Sequence, residues 1–185
     1  RQKTTLLKEL DYREIILGCR NGRHGAQLAF YDLFSPALYA SAFRLLNNEW
    51  EAEEVAQEVL LKVFTDNSLL NDTQDEMLRM LKRMAINLSI DHLRQRKVIW
   101  EEWDDRLMDQ SQESIEQVII RQEDVEQLHT AIAMMSEKDR SILLLSIAEE
   151  LTTEEISQIL GIRPSSVRSQ LSRAKQRLIK LYRYE

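Results

Sequence analysis

Four glycines and two prolines are all that interrupt 185 residues. These two residue types oppose helix most, by about 1 and 3 kcal/mol each. A chain so poor in them favours long helices over turns and strands. An apolar fraction of 43% supplies one or two ordinary cores. The single cysteine, Cys19, excludes an intrachain disulfide and fits a reducing, cytoplasmic location. The longest apolar stretch, around Ile142–Ala148, is too short to cross a bilayer. Nothing near the start reads as a signal peptide.

The net charge of −6 argues against a polyanion as partner, but the average hides strong patterning. Arg79–Lys97 holds six Lys/Arg and one acid, a net +5. Arg163–Arg183 holds seven Lys/Arg and no acid, a net +7. Between them, Val98–Gln127 has ten acids and two arginines, a net −8. Glu49–Glu76, with nine acids and one lysine, is also −8. Local fields of this kind, rather than net charge, steer a polyanion.

Hydrophobic spacing and breaker residues predict short helices over Asp11–Cys19, Ala26–Phe34 and Pro36–Leu46, with Ser35-Pro36 as a stop and restart. Asn47-Asn48 breaks the chain before a helix over Glu51–Phe64. Thr65–Thr73 reads as a loop, and a long helix follows from about Asp75 to Arg96. Four more helices are predicted over Val125–Met135, Lys138–Glu149, Thr153–Leu160 and Pro164–Leu181. The expected fold is all-α: two small helical domains, residues 1–97 and 128–185, joined by an acidic linker over 98–127. That linker carries Trp100 and Trp103 and some helix near Ser114–Arg121.

The second domain contains a helix-turn-helix pattern. Thr152-Thr153-Glu154-Glu155 offers a capping oxygen and acids to a helix N-terminus. Ile156, Ile159 and Leu160 form a stripe, Gly161 stops the helix in a left-handed turn, and Pro164 suits the first turn of the next. On that last helix Val167, Leu171, Ala174, Leu178 and Leu181 make one apolar line. The opposite face holds Ser165, Ser166, Arg168, Ser169, Ser172, Arg173 and Gln176, without an acid. A surface helix normally mixes signs, so this face suits close approach to a DNA groove.

In the first domain, Met77, Leu78, Leu81, Met84, Ala85 and Leu88 fall on one side of the long helix, and Arg79, Arg83, Asn87, Arg94 and Lys97 on the other. Guanidinium groups spaced by helical turns follow a phosphate backbone, and Asn87 has the chemistry to read a base edge. Taken alone, such a face is more often simply solvated. The preceding helix turns Val55, Val59, Leu60 and Val63 inward and Glu53, Glu54, Gln57 and Glu58 outward. An acidic face repels DNA and suits a basic protein partner, although alone it reads as a solubilising surface.

Three segments together resemble the sigma-70 superfamily, extracytoplasmic-function group. Glu53-Glu54-Val55-Ala56-Gln57-Glu58-Val59 resembles the family's polymerase-binding helix. Met84 through Arg94 resembles the helix that engages the −10 element. Glu154 through Gly161, followed by Ser166 through Ala174, resembles the −35-reading helix-turn-helix. The resemblance implies a non-enzymatic subunit with no cofactor, metal or small-molecule substrate. It implies core RNA polymerase and promoter DNA as partners, and an anti-sigma factor as regulator. Polymerase contact would fall to Glu54, Gln57 and Glu58. The chain departs from the family where Met80 replaces a usual Trp and Met135-Ser136 a usual Leu-Pro. The loop that captures an unstacked base, Asp66–Glu76, has no aromatic residue. Stacking on one is worth about 1–3 kcal/mol per base, so this loop must rely on shape and polar contacts.

A one-component helix-turn-helix regulator explains the second domain but leaves the basic helix of the first unused. A helical hydrolase would need a catalytic constellation, and no phosphate loop, nucleophile elbow or carboxylate pair is present.

Overall fold

The computed structural model describes residues 11–98 and 122–183. Eight α-helices and no strand occur among them. Contacts divide the chain into two compact units, with the division between His92 and Leu93.

The first unit contains α1 (Tyr12–Arg20), α2 (His24–Leu46), α3 (Glu49–Thr65) and most of α4 (Gln74–Gln95). A 3-10 turn over Asn67–Leu69 precedes α4. Its core is built on Phe30, Phe34, Leu38, Leu45, Val59 and Leu60, all buried. The Phe30 ring lies 4.6 Å from that of Phe34 and 5.6 Å from that of Phe64. Asn47, in the left-handed region at φ 50°, ends α2, and the Asn48 side chain caps α3 by accepting from the Glu51 amide.

The expected break at Ser35-Pro36 is absent: α2 runs straight through Pro36 as one helix of 23 residues. Tertiary burial overrides the local signal. Ala26, Ala29, Phe30, Phe34, Leu38, Ala42 and Leu45 form one buried line on both sides of the proline. Pro36 and Asp32 are both exposed, so the hydrogen bond that Pro36 cannot make is missing on the solvent side of the helix rather than in the core.

The second unit holds α5 (Gln122–Met134), α6 (Glu137–Ile147), α7 (Thr153–Leu160) and α8 (Pro164–Arg183). Helices α5, α6 and α7 all pack on α8. Ser136 caps α6, taking the Asp139 amide at 3.2 Å, which gives the Met135-Ser136 junction its own stop-and-start signal. Helix α5 begins at Gln122, inside the stretch assigned to the linker. Residues 99–121 of that stretch, with Trp100, Trp103 and the helix expected near Ser114–Arg121, lie outside the described residues.

Candidate functional site

Helix α7 begins with a full capping box. Thr152 Oγ1 accepts from the Glu155 amide at 3.2 Å, and the Thr152 amide donates to Glu155 Oε2 at 2.9 Å. Gly161 then takes φ 71°, a left-handed turn that glycine adopts without strain. Ile162 is buried in the turn, and Ser157 Oγ donates to the Ile162 carbonyl at 2.7 Å. These local bonds fix how α8 leaves α7.

Helix α8 presents Arg168 exposed, with Ser165, Ser172, Arg173 and Gln176 half-exposed. Ser166 and Ser169 are a correction to the expected DNA face: they are 0% and 5% exposed. Ser169 Oγ donates to the Ser165 carbonyl one turn back. The buried arc of α8 is wider than its aliphatic line, running from Ser169 through Ser166 and Gln170 to Ala174, Val167 and Leu178. Small hydroxyl side chains let neighbouring surfaces come close, which extends burial past the aliphatic residues. Arg177, also on α8, ion-pairs with the buried carboxylate of Asp139 on α6. Ser136 Oγ donates to the same carboxylate at 2.8 Å. Arg140 beside it is buried too, and burial pulls its guanidinium pKa below the usual arginine value.

On α4, Arg79, Asn87 and Arg94 are exposed and Arg83 is half-exposed. At 100° per residue these four fall within one arc of about 80°. Lys97 lies beyond the helix, in a turn at φ 63°, where its amide closes on the Arg94 carbonyl at 2.9 Å. It therefore leaves the helical register of the other four. The buried line is Met77, Leu81, Ala85, Ser89 and Leu93, with Ile86 and Ile90 beside it. Its four-residue spacing drifts around the helix, which leaves Leu78, Met84 and Leu88 only half-buried against expectation. Met80 accepts from the Asn71 side-chain amide at 3.8 Å, so this thioether helps hold the loop before α4.

Helix α3 keeps Val55, Val59, Leu60 and Val63 in the core and Glu53, Glu54 and Gln57 in solvent. Glu58 pairs with Lys62 one turn on, at 3.0 Å. Two outward residues escaped the sequence reading: Trp50, 82% exposed, and Leu61, 61% exposed. With Glu54 and Gln57 they follow i, i+4, i+7, i+11 spacing, one stripe about 16 Å long. The signal was present in the sequence as that spacing, on the side opposite the valines.

Residues 30–98 match the family description "Sigma-70 region 2", and residues 125–178 match "Sigma-70, region 4". The chain belongs to the sigma-70 family. Within it, the chain is 24% identical to the ECF RNA polymerase sigma factor SigW of Bacillus subtilis, covering 95% of this chain and 98% of that one. It is 28% identical to the ECF RNA polymerase sigma factor SigE of Mycolicibacterium smegmatis, over 76% of this chain and 55% of that protein. Among solved structures it resembles the sigma factor RpoE of Bartonella quintana, crystallised with the anti-sigma factor NepR. That match has a TM-score of 0.51 and 22% identity, over 82% of this chain and 92% of that one. The protein is thus a sigma factor of the extracytoplasmic-function group, which binds core RNA polymerase and directs initiation at promoters. The reading as a stand-alone regulator is not favoured, since the region 2 match accounts for the basic helix α4. No group of side chains able to hold a metal ion occurs among the described residues. None of their helices is long and apolar enough to cross a membrane.

Proposed function

We propose that this sigma factor divides its work among three helical faces. The α3 stripe of Trp50, Glu54, Gln57 and Leu61, with Glu58 beside it, docks on a basic helical surface of core polymerase. The α4 arc of Arg79, Arg83, Asn87 and Arg94, with Lys97 beyond it, engages the −10 region, and residues 66–76 hold an unstacked non-template base. The outward face of α8, from Ser165 and Arg168 to Ser172, Arg173 and Gln176, reads −35 DNA as duplex.

One observation carries the assignment: opposite charges are segregated on separate exposed helix faces, acidic on α3 and basic on α4 and α8. Binding energy alone opens the promoter, because holding extruded bases offsets the few kcal/mol of unpairing. No bond chemistry, cofactor or small-molecule substrate is required. The solved relative's anti-sigma partner supports regulation of this chain by such a protein, and the single cysteine fits a cytoplasmic location.

Run-off transcription with core polymerase on genomic fragments tests the reading. The expected result is initiation at defined start sites only when both proteins are present. Tight, sequence-specific binding by the free protein with no effect on polymerase would point to the stand-alone regulator.

A further inference from the structure

Helix α1 lies outside both matched segments, the first of which begins at residue 30. It carries no face assigned above. Yet it is joined to the loop ahead of α4 by hydrogen bonds across 47 to 61 positions of sequence. Tyr12 Oη donates to the Asn71 carbonyl at 2.8 Å and lies 3.4 Å from that of Thr73. The Arg20 guanidinium donates to the Leu70 carbonyl at 3.2 Å and to Asp72 Oδ1 at 2.9 Å. In return, the Asn67 side-chain amide donates to the Arg20 carbonyl at 3.3 Å.

The loop is braced internally as well. Asp66 Oδ1 accepts from the Ser68 amide at 3.0 Å and from its hydroxyl at 2.6 Å. Those bonds, the hydroxyl first, hold the Asp66 carboxyl below its usual pKa. The Asn71 amide reaches Met77 Sδ at 3.4 Å, and Leu70 is buried. A stretch between helices lacks helical partners for its carbonyls, and here α1 supplies them.

We propose that α1 is a positioning strut for the base-holding loop, with Tyr12 and Arg20 fixing residues 67–73 in their binding-ready conformation before DNA arrives. The proposal rests on the reading of residues 66–76 given under Proposed function. A loop with no aromatic residue gains nothing from stacking on one, so any ordering it undergoes on binding subtracts directly from a small gain. Ordering it beforehand removes that loss. The Arg20–Asp72 pair is solvent-exposed and weak by itself. The Tyr12 bond is partly buried, and burial, then the nearby Asp72 charge, push the phenol up to about 12. The hydroxyl therefore stays a donor at every pH at which promoters are opened.

Tyr12→Phe removes one oxygen, and Arg20→Ala removes both guanidinium bonds. Arg20→Lys keeps the charge but loses the fork that reaches two acceptors at once. Each full-length variant is combined with core polymerase. Each is then titrated with a fork promoter whose single-stranded non-template −10 strand is intact or carries one abasic nucleotide, moved position by position. Wild type should show a position where losing the base weakens binding. Each variant should bind the intact fork about three- to tenfold more weakly and show a reduced penalty at that position, since one partly buried bond is worth about that factor and the exposed Arg20–Asp72 pair adds little. Core affinity and helical content should not change, while the melting temperature falls by a few degrees because native bonds are lost. A full abasic penalty in both Tyr12→Phe and Arg20→Lys would overturn the strut while leaving the loop's role intact. An equal loss on intact and abasic forks would mark a structural effect and overturn it as well. A wild type with no abasic-sensitive position would overturn the loop reading, and the strut with it.

Discussion

Gly18 sits where α1 touches α2, and replacing it with alanine tests how tightly that contact is built. A Cβ at Gly18 would lie 2.3 Å from the Cβ of Ala26, where 3.4–4 Å is ordinary contact. The obstacle is a methyl fixed to the α2 backbone, not the end of a flexible side chain, so α1 must retreat by about 1 Å or more. Ile15, Ile16 and Cys19 are buried on the same helix and would move with it. Overpacking costs about 1–3 kcal/mol, and an approach this short to a fixed methyl falls at about 2–3 kcal/mol. Replacing a helical glycine by alanine returns up to about 1 kcal/mol. The net expectation is about 1–2 kcal/mol of destabilisation, concentrated in the α1–α2 contact. The chain carries its own probe: Cys19, its sole cysteine, is buried next to the substitution. Burial raises the thiol to about 11, so near pH 8 it labels slowly unless α1 opens. With tenfold per 1.4 kcal/mol, Gly18→Ala should speed iodoacetamide labelling about 5- to 30-fold at fixed pH. The double variant Gly18→Ala/Ala26→Gly moves the methyl to the other helix and should label close to the Ala26→Gly rate. A Gly18→Ala rate equal to or below wild type would refute the packing argument, as would a double variant faster than either single one.

Glu54→Lys with Glu58→Lys should abolish co-purification with core polymerase while circular dichroism stays unchanged, since close charge pairs couple by roughly 1.5–7 kcal/mol. Trp50→Ala should weaken the same association by about 2 kcal/mol or more if Trp50 is an anchor; undiminished binding by either folded variant would remove α3 as the docking face. Arg168→Ala and Arg173→Ala should each reduce initiation from a promoter carrying a −35 element, by about 1–3 kcal/mol and with relaxed preference at one position if a base is read. Equal initiation by both variants would mean that α8 meets no DNA. Asp139→Ala should lower the melting temperature of the second unit by removing the acceptor for Arg177 and Ser136. Because Arg177 is largely exposed and can rehydrate, about 1–2 kcal/mol is expected rather than the full cost of breaking a buried pair; an unchanged melt would show that the pair contributes nothing.

Much of the site was legible because its signals are local. The capping box at Thr152, the left-handed turn at Gly161 and the first-turn Pro164 each act within a few residues. Their meaning does not depend on what the rest of the chain does. The same holds for Asn48 capping α3 and for the valine line of that helix. Where a residue's role depends on what lies across from it, the sequence was ambiguous. Pro36 is a helix stop by local rules, yet α2 continues because the buried line is continuous on both sides of it. Ser166 and Ser169 look like groove-facing residues by polarity, yet both are buried.

Sequence alone determined the two helical units, the segregation of charge onto separate helices and the short-range caps and turns, because helical periodicity and capping chemistry are written within single segments. Only the tertiary structure decided which arc of α8 is outward, that Arg177 belongs to Asp139, and that Tyr12 and Arg20 hold a loop some fifty residues away. A hydrogen bond across that distance leaves no periodic trace in either partner's neighbourhood, so it becomes visible only when packing brings the two together.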